Sequence, residues 1–66
     1  MKIVTYLLNY SYNDDQDNIR LAWDEVDMIR MSVVDYEKAA QALIKKLKYS
    51  KQIKKDIKIQ YLYLLP

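Results

Sequence analysis

The chain has no cysteine, no histidine, no glycine and no phenylalanine, and its single proline is the last residue, Pro66. Without cysteine no disulfide can staple the fold, and without Cys or His the usual ligands of structural zinc are missing. The same two absences exclude Ser-His-Asp and Cys-His arrangements and remove the commonest general base. Without glycine there is no P-loop and no dinucleotide-binding turn, because both need the backbone to approach phosphate closely. The acid pairs Asp14/Asp15 and Asp24/Glu25 read as exposed loop, where nothing moves a carboxyl pKa toward catalysis. The expectation is a non-enzymatic protein with no cofactor and no metal. Long apolar runs are missing too. The run from Met1 to Leu8 is broken by Thr5 and Tyr6 and is too short for a signal peptide or a membrane span. A chain without membrane attachment, working in the cytoplasm, is expected.

What is present amounts to 66 residues, read as one domain over 1–66. A chain this short buries only about 60% of its unfolded surface, so a lone core is marginal. With disulfides and zinc excluded, oligomerisation is the usual remaining support. The net charge of +2 hides an asymmetry. Residues 1–37 carry three cations against eight acids, whereas residues 38–66 carry eight lysines against Asp56 alone. The two halves can neutralise each other in the fold, or the basic half can meet an anionic partner.

Ser32–Lys48 gives the clearest local signal. Ser32 reads as a helix N-cap with Asp35 three residues on. Tyr36, Ala40, Leu43 and Leu47 recur at helical spacing and share one face. Asp35 and Glu37 fall in the first turn and Lys45, Lys46 and Lys48 near the end, as the helix dipole prefers. With no glycine stop, the helix can run on toward Ile53.

Lys2–Tyr12 reads as a strand with two apolar-leaning faces, one bearing Val4, Tyr6, Leu8, Tyr10 and Tyr12, and therefore as a central strand. Asn13–Asn18 is an acidic turn, with any positive φ expected at Asn13, Asp14 or Asn18. Asn13, Asp15, Asp17 and Asp24 match part of an EF-hand loop, but Asn18 stands where that loop needs glycine, and a solvated turn is the better reading. Residues 19–34 fit either a helix or strands. Strand is favoured for Val26–Met31, with a bend at Asp24-Glu25, and Ile19–Trp23 is left as a short strand or a helical turn. Ile57–Leu65 is a second strong strand, with Ile57, Ile59, Tyr61, Tyr63 and Leu65 on one face and Lys58, Gln60, Leu62 and Leu64 on the other. The sum is an α+β, two-layer α/β fold: a small, mostly antiparallel sheet of three or four strands with one amphipathic helix on one face. The order is β-(β)β-α-β, with the first strand central.

Met28–Leu43 resembles the strand-to-helix junction of ribbon-helix-helix repressors, but the second helix of that family is replaced here by a Lys-rich exit and a strand, so no family follows. Two functional readings remain. The first is a small protein-interaction module that inhibits or adapts a partner protein. Richness in Lys, Ile, Tyr and Asn suits an AT-rich genome, and short, chemically bare chains of this kind are frequent in phages and mobile elements. If the helix covers the face bearing Ile57 and Ile59, then Leu62 and Leu64 are left in the open. A homodimer is expected to bury them, with Tyr61 and Tyr63 as further interface residues. The alternative is a nucleic-acid-binding accessory protein using Lys45, Lys48, Lys51, Lys54, Lys55 and Lys58 on phosphates. The basic half holds no arginine, the preferred reader of base edges, so such binding is expected to be weak and non-specific.

Overall fold

In the computed structural model, which describes residues 2–66, Ile3–Asn13 forms β1, Ile19–Ile29 forms β2, Tyr36–Leu47 forms helix α1 and Lys55–Leu64 forms β3. The sheet order is β2-β1-β3, antiparallel throughout, so the β-β-α-β order and the central first strand are as expected. The β-branched and tyrosine-rich β1 supplies a donor and acceptor row to both neighbours, as a strand without breakers can.

β1 and β2 pair without interruption from Ile3↔Ile29 to Asn13↔Ile19. The expected bend at Asp24-Glu25 does not form, and the helical reading of residues 19–29 is excluded. Asp24 is tolerated in mid-strand because its carboxylate meets two lysines and a tyrosine hydroxyl on the helix side. The turn closes with Asp14 N–H donating to the Asn18 carbonyl, and Asp17 N–H donating to that of Asp14. Asp17 takes the left-handed conformation at φ 60°, the position glycine fills in most such hairpins. The reasoning from missing glycine holds, but the residues that carry it are Asp17 and, at φ 51°, Asp56.

The helix begins later than expected. Asp35, not Ser32, is the N-cap, and its carboxylate accepts from Glu37 N and Lys38 N at 3.0 and 3.2 Å. Ala39 and Leu43 are its buried residues, while Ala40, Ala42 and Leu47 are half-buried. Tyr36, expected on the buried face, is exposed in the first turn. Ala39 and Ala42 bring only small side chains into a layer that Tyr6 and Tyr10 of β1 already fill. α1 stops at Leu47, where Ser50 N–H bonds the Leu47 carbonyl, rather than continuing toward Ile53.

β3 contains two register shifts against β1, one between Ser11 and Asn13 and one between Asn9 and Tyr10. Each inserts one extra residue on β3. Left-handed Asp56 sits in the first shift and Gln60 in the second. The second reverses which residues point where. Ile59 lies opposite Tyr10 and Leu62 opposite Leu8, so both join the helix-side core. Tyr61 lies opposite Asn9 and Tyr63 opposite Leu7, on the uncovered side. Strict alternation along Ile57–Leu65 is therefore corrected, and Leu62 belongs to the core rather than to an open surface. Tyr6, Leu8, Tyr10, Val26, Ala39 and Leu43 are the buried apolar residues among those described. A core of six side chains is small, in keeping with the chain length.

Candidate functional site

The helix covers one face of the sheet. The other face carries the odd-numbered side chains of β1 and β2 together with Tyr61 and Tyr63. Trp23 and Tyr63 stack with ring centroids 6.4 Å apart, and Tyr61 and Tyr63 stack at 6.3 Å. The three rings form one slab across all three strands. The register explains it: Trp23 and Tyr61 flank Asn9, while Tyr63 flanks Leu7 one pair along. Asn9 lies buried beneath the rings, and its side-chain amide donates to the Ala22 carbonyl at 3.2 Å. Along the β2 side Leu21 and Ile19 extend the apolar surface, and both are more than 70% exposed.

Charge on this face is sparse and mixed. Glu25 lies beside Leu7, and Asp27 accepts from the Thr5 hydroxyl at 2.6 Å. Lys58 sits opposite Ser11, and Lys55 at the far end is paired with Asp17 at 2.9 Å. That ion pair holds the Lys55 pKa above the usual lysine value, chiefly through its hydrogen bond to Asp17. The face thus offers two acids against one lysine free of an ion pair among the described residues, which is the wrong sign for following a phosphate chain.

The tyrosines divide between two roles. Tyr6, Tyr10 and Tyr12 lie on the helix side of the sheet, on the face opposite to Tyr61 and Tyr63. The buried hydroxyls are satisfied. Tyr6 accepts from Met31 N at 3.0 Å, and Tyr10 donates to Asp24 at 2.7 Å and accepts from Lys54 Nζ at 2.6 Å. Burial, reinforced by the Asp24 carboxylate, pushes the Tyr10 phenol well above its ordinary pKa. Lys54 also lies over the rings of Tyr10 and Tyr12, 5.2 and 4.8 Å from the centroids. This cluster pins the segment leading into β3 onto β1 and β2.

The six lysines expected to meet nucleic acid do not come together. Lys54 is turned inward, Lys55 is tied to Asp17, Lys58 is on the open sheet face, and Lys51 is exposed in the loop before β3. Lys45 and Lys48 line one groove at the end of α1, Lys48 and Lys54 a smaller one, and Lys55 and Lys58 share the open sheet face, so no single surface gathers the six. In the acidic turn, Asp14 accepts from Gln16 N, Asn18 N and Arg20 Nε, and Asp17 is held by Lys55. The Asn18 amide bond, with help from Arg20, lowers the Asp14 pKa.

Of the four expected interface residues, Tyr61 and Tyr63 lie on the open face, Leu62 lies in the core, and Leu64 is paired with Tyr6 on the helix side. Trp23 is the central residue that sequence reasoning missed. Its signal was the alternation of Ile19, Leu21 and Trp23, which becomes informative only once residues 19–29 are one strand. No helix among the described residues is long and apolar enough to cross a membrane. No protein-family model, no curated protein and no solved structure matches this chain.

Proposed function

We propose that this chain is a small, non-enzymatic protein-interaction module, an inhibitor or adaptor, that works as a homodimer formed through the open sheet faces. The observation that supports this most directly is the Trp23–Tyr63–Tyr61 slab on the uncovered side of the sheet. Trp and Tyr are the residues most enriched at protein contacts, and a contiguous apolar patch is seldom left bare on a monomer. Three strands about 4.8 Å apart and about 35 Å long give a footprint of about 500 Å² per copy, so two copies bury about 1,000 Å² in all, the lower bound for a specific interface. A second copy also supplies the apolar neighbours that a 66-residue core lacks. The mixed charges suit self-pairing, since Glu25 of one copy can approach Lys58 of the other across a twofold axis. Nucleic acid is the weaker reading because the aromatic face is not basic and the six lysines named for it gather on no single surface.

Sedimentation equilibrium at micromolar concentration tests the reading. The expected mass is twice the 8.0 kDa of the chain. Trp23→Thr combined with Tyr63→Thr is expected to give a monomer with unchanged far-UV circular dichroism. A wild-type chain that remains monomeric at high micromolar concentration, or a double variant that still dimerises, overturns the proposal.

A further inference from the structure

A second surface lies away from the open sheet face. The segment between β2 and α1 and the outward side of α1 enclose a groove of about 1280 Å³. Its apolar lining includes Met28, Met31, Val33, Val34 and Ile44. Val33, Val34 and Ile44 are all more than half exposed, so this apolar surface is uncovered. Arg30, Lys38, Lys45 and Lys48 line the same groove, and none of them forms an ion pair among the described residues. The one acid in the lining, Asp35, has its carboxylate engaged by the helix N-terminus. The groove is therefore apolar along its floor and uncompensated in positive charge at its rim.

We infer that this groove binds an acidic amphipathic peptide segment of a partner protein, with apolar side chains on Met28, Met31, Val33, Val34 and Ile44 and carboxylates against the four cations. The inference deepens the proposed function by giving the partner its chemistry. Three features select this occupant. The volume exceeds the roughly 300–1,000 Å³ of small-molecule sites. Nucleic acid is disfavoured because its bases stack on aromatic rings, and the lining offers Tyr36 alone beside aliphatic side chains. A membrane is disfavoured because the apolar surface is concave, and a flat bilayer meets protruding side chains. Methionines such as 28 and 31 adapt to varied apolar partners, and laying one amphipathic element in a groove is an established mode of peptide recognition.

The probe is a fluorescein-labelled synthetic peptide of Glu, Leu and Ala, with leucines at helical spacing. A length of about 12 residues, or about 18 Å, matches α1. Fluorescence anisotropy with the full chain is expected to show saturable binding at one site per protomer. A peptide of the same composition with scattered leucines, and one with Lys for Glu, should each bind about tenfold more weakly or worse. Lys45→Glu with Lys48→Glu, and separately Val34→Asp, should weaken binding by a similar factor while circular dichroism is unchanged. Trp23→Thr with Tyr63→Thr should bind the peptide as wild type does, which separates failure at the groove from failure at the sheet face. The inference is overturned if the Glu-Leu peptide does not saturate, or if scrambling and the groove variants make no difference. It is also overturned if a single-stranded oligonucleotide or phosphatidylglycerol vesicles bind more tightly through the same residues.

Discussion

Asp24 and Lys54 should respond very unequally to loss of charge. Asp24 accepts from Tyr10 at 2.7 Å and lies 3.7 and 4.0 Å from Lys46 and Lys54. Its side chain is 25% exposed, whereas that of Lys54 is 10% exposed. Lys54→Met keeps the apolar stem over the tyrosine rings and leaves Asp24 with Lys46, Tyr10 and some water, so the expected cost is about 1 kcal/mol. Asp24→Asn keeps the size and an acceptor for Tyr10 but strands the Lys54 ammonium in the interior. Breaking a buried pair costs about 3–5 kcal/mol, and contact with the rings offsets about 1–2 of it, giving a net loss of about 2–3 kcal/mol. In the Lys54→Met background the stranded charge is gone, so Asp24→Asn should then cost little, with a coupling of about 1–2 kcal/mol. Urea unfolding followed by Trp23 fluorescence reads this. With a slope of about 1 kcal/mol per molar, Asp24→Asn should lower the midpoint by about 2–3 M and Lys54→Met by about 1 M. Equal costs for the two single variants, or no coupling in the double variant, would refute the reasoning.

Leu43 is fully buried between helix and sheet, so Leu43→Ala should cost about 2–5 kcal/mol, and unchanged thermal melting would show that the helix face is misassigned. Leu62→Asp should fail to fold, because the second bulge puts that side chain in the core, whereas Tyr63→Asp should give a folded monomer. A folded Leu62→Asp chain by circular dichroism would contradict the register. The raised pKa of Tyr10 means the fold favours the neutral phenol. Its contribution is intact below the ordinary tyrosine value near 10 and is lost as pH rises above it, so Tyr10→Phe should reduce the loss of stability in alkali. The lowered pKa of Asp14 acts in the opposite direction. Its contribution is present above the usual carboxylate range and lost as pH falls through the depressed value, so Asp14→Asn should reduce the acid-side slope in urea midpoints measured against pH.

Much of the fold was legible because it rests on patterns that propagate along the chain. β1 alternates without a breaker, the helix repeats apolar residues at its own period, and a second strong strand at Ile57–Leu65 leaves few ways to pair with β1. What was illegible rests on single residues whose meaning depends on a distant partner. Nothing local in Asp24 says that Lys46 and Lys54, more than twenty residues away, will neutralise it; without them it reads as a bend. Ser32 and Asp35 are both competent caps, and the choice falls to the residue whose carboxylate reaches the free amides once α1 is laid over β1.

The candidate site turned on a smaller feature still. One extra residue in β3, Gln60, whose side chain donates to the Ser11 hydroxyl at 3.2 Å, shifts the parity of everything after it. Period-2 reading assumes that no such residue exists, and Gln is not one of the types that announce a bulge. Because Gln60 is inserted, the helix gains Leu62 beneath it and the open face gains Tyr61 and Tyr63. Had alternation held, Ile57, Ile59, Tyr61 and Tyr63 would all lie under the helix, crowding a layer already filled by Tyr6, Tyr10 and Tyr12. The bulge thus resolves a packing conflict written into the sequence, with too many tyrosines for one small core, by turning two of them outward to stack with Trp23. The aromatic slab is a consequence of how the core is packed, and this ties the proposed interface to the stability of the fold.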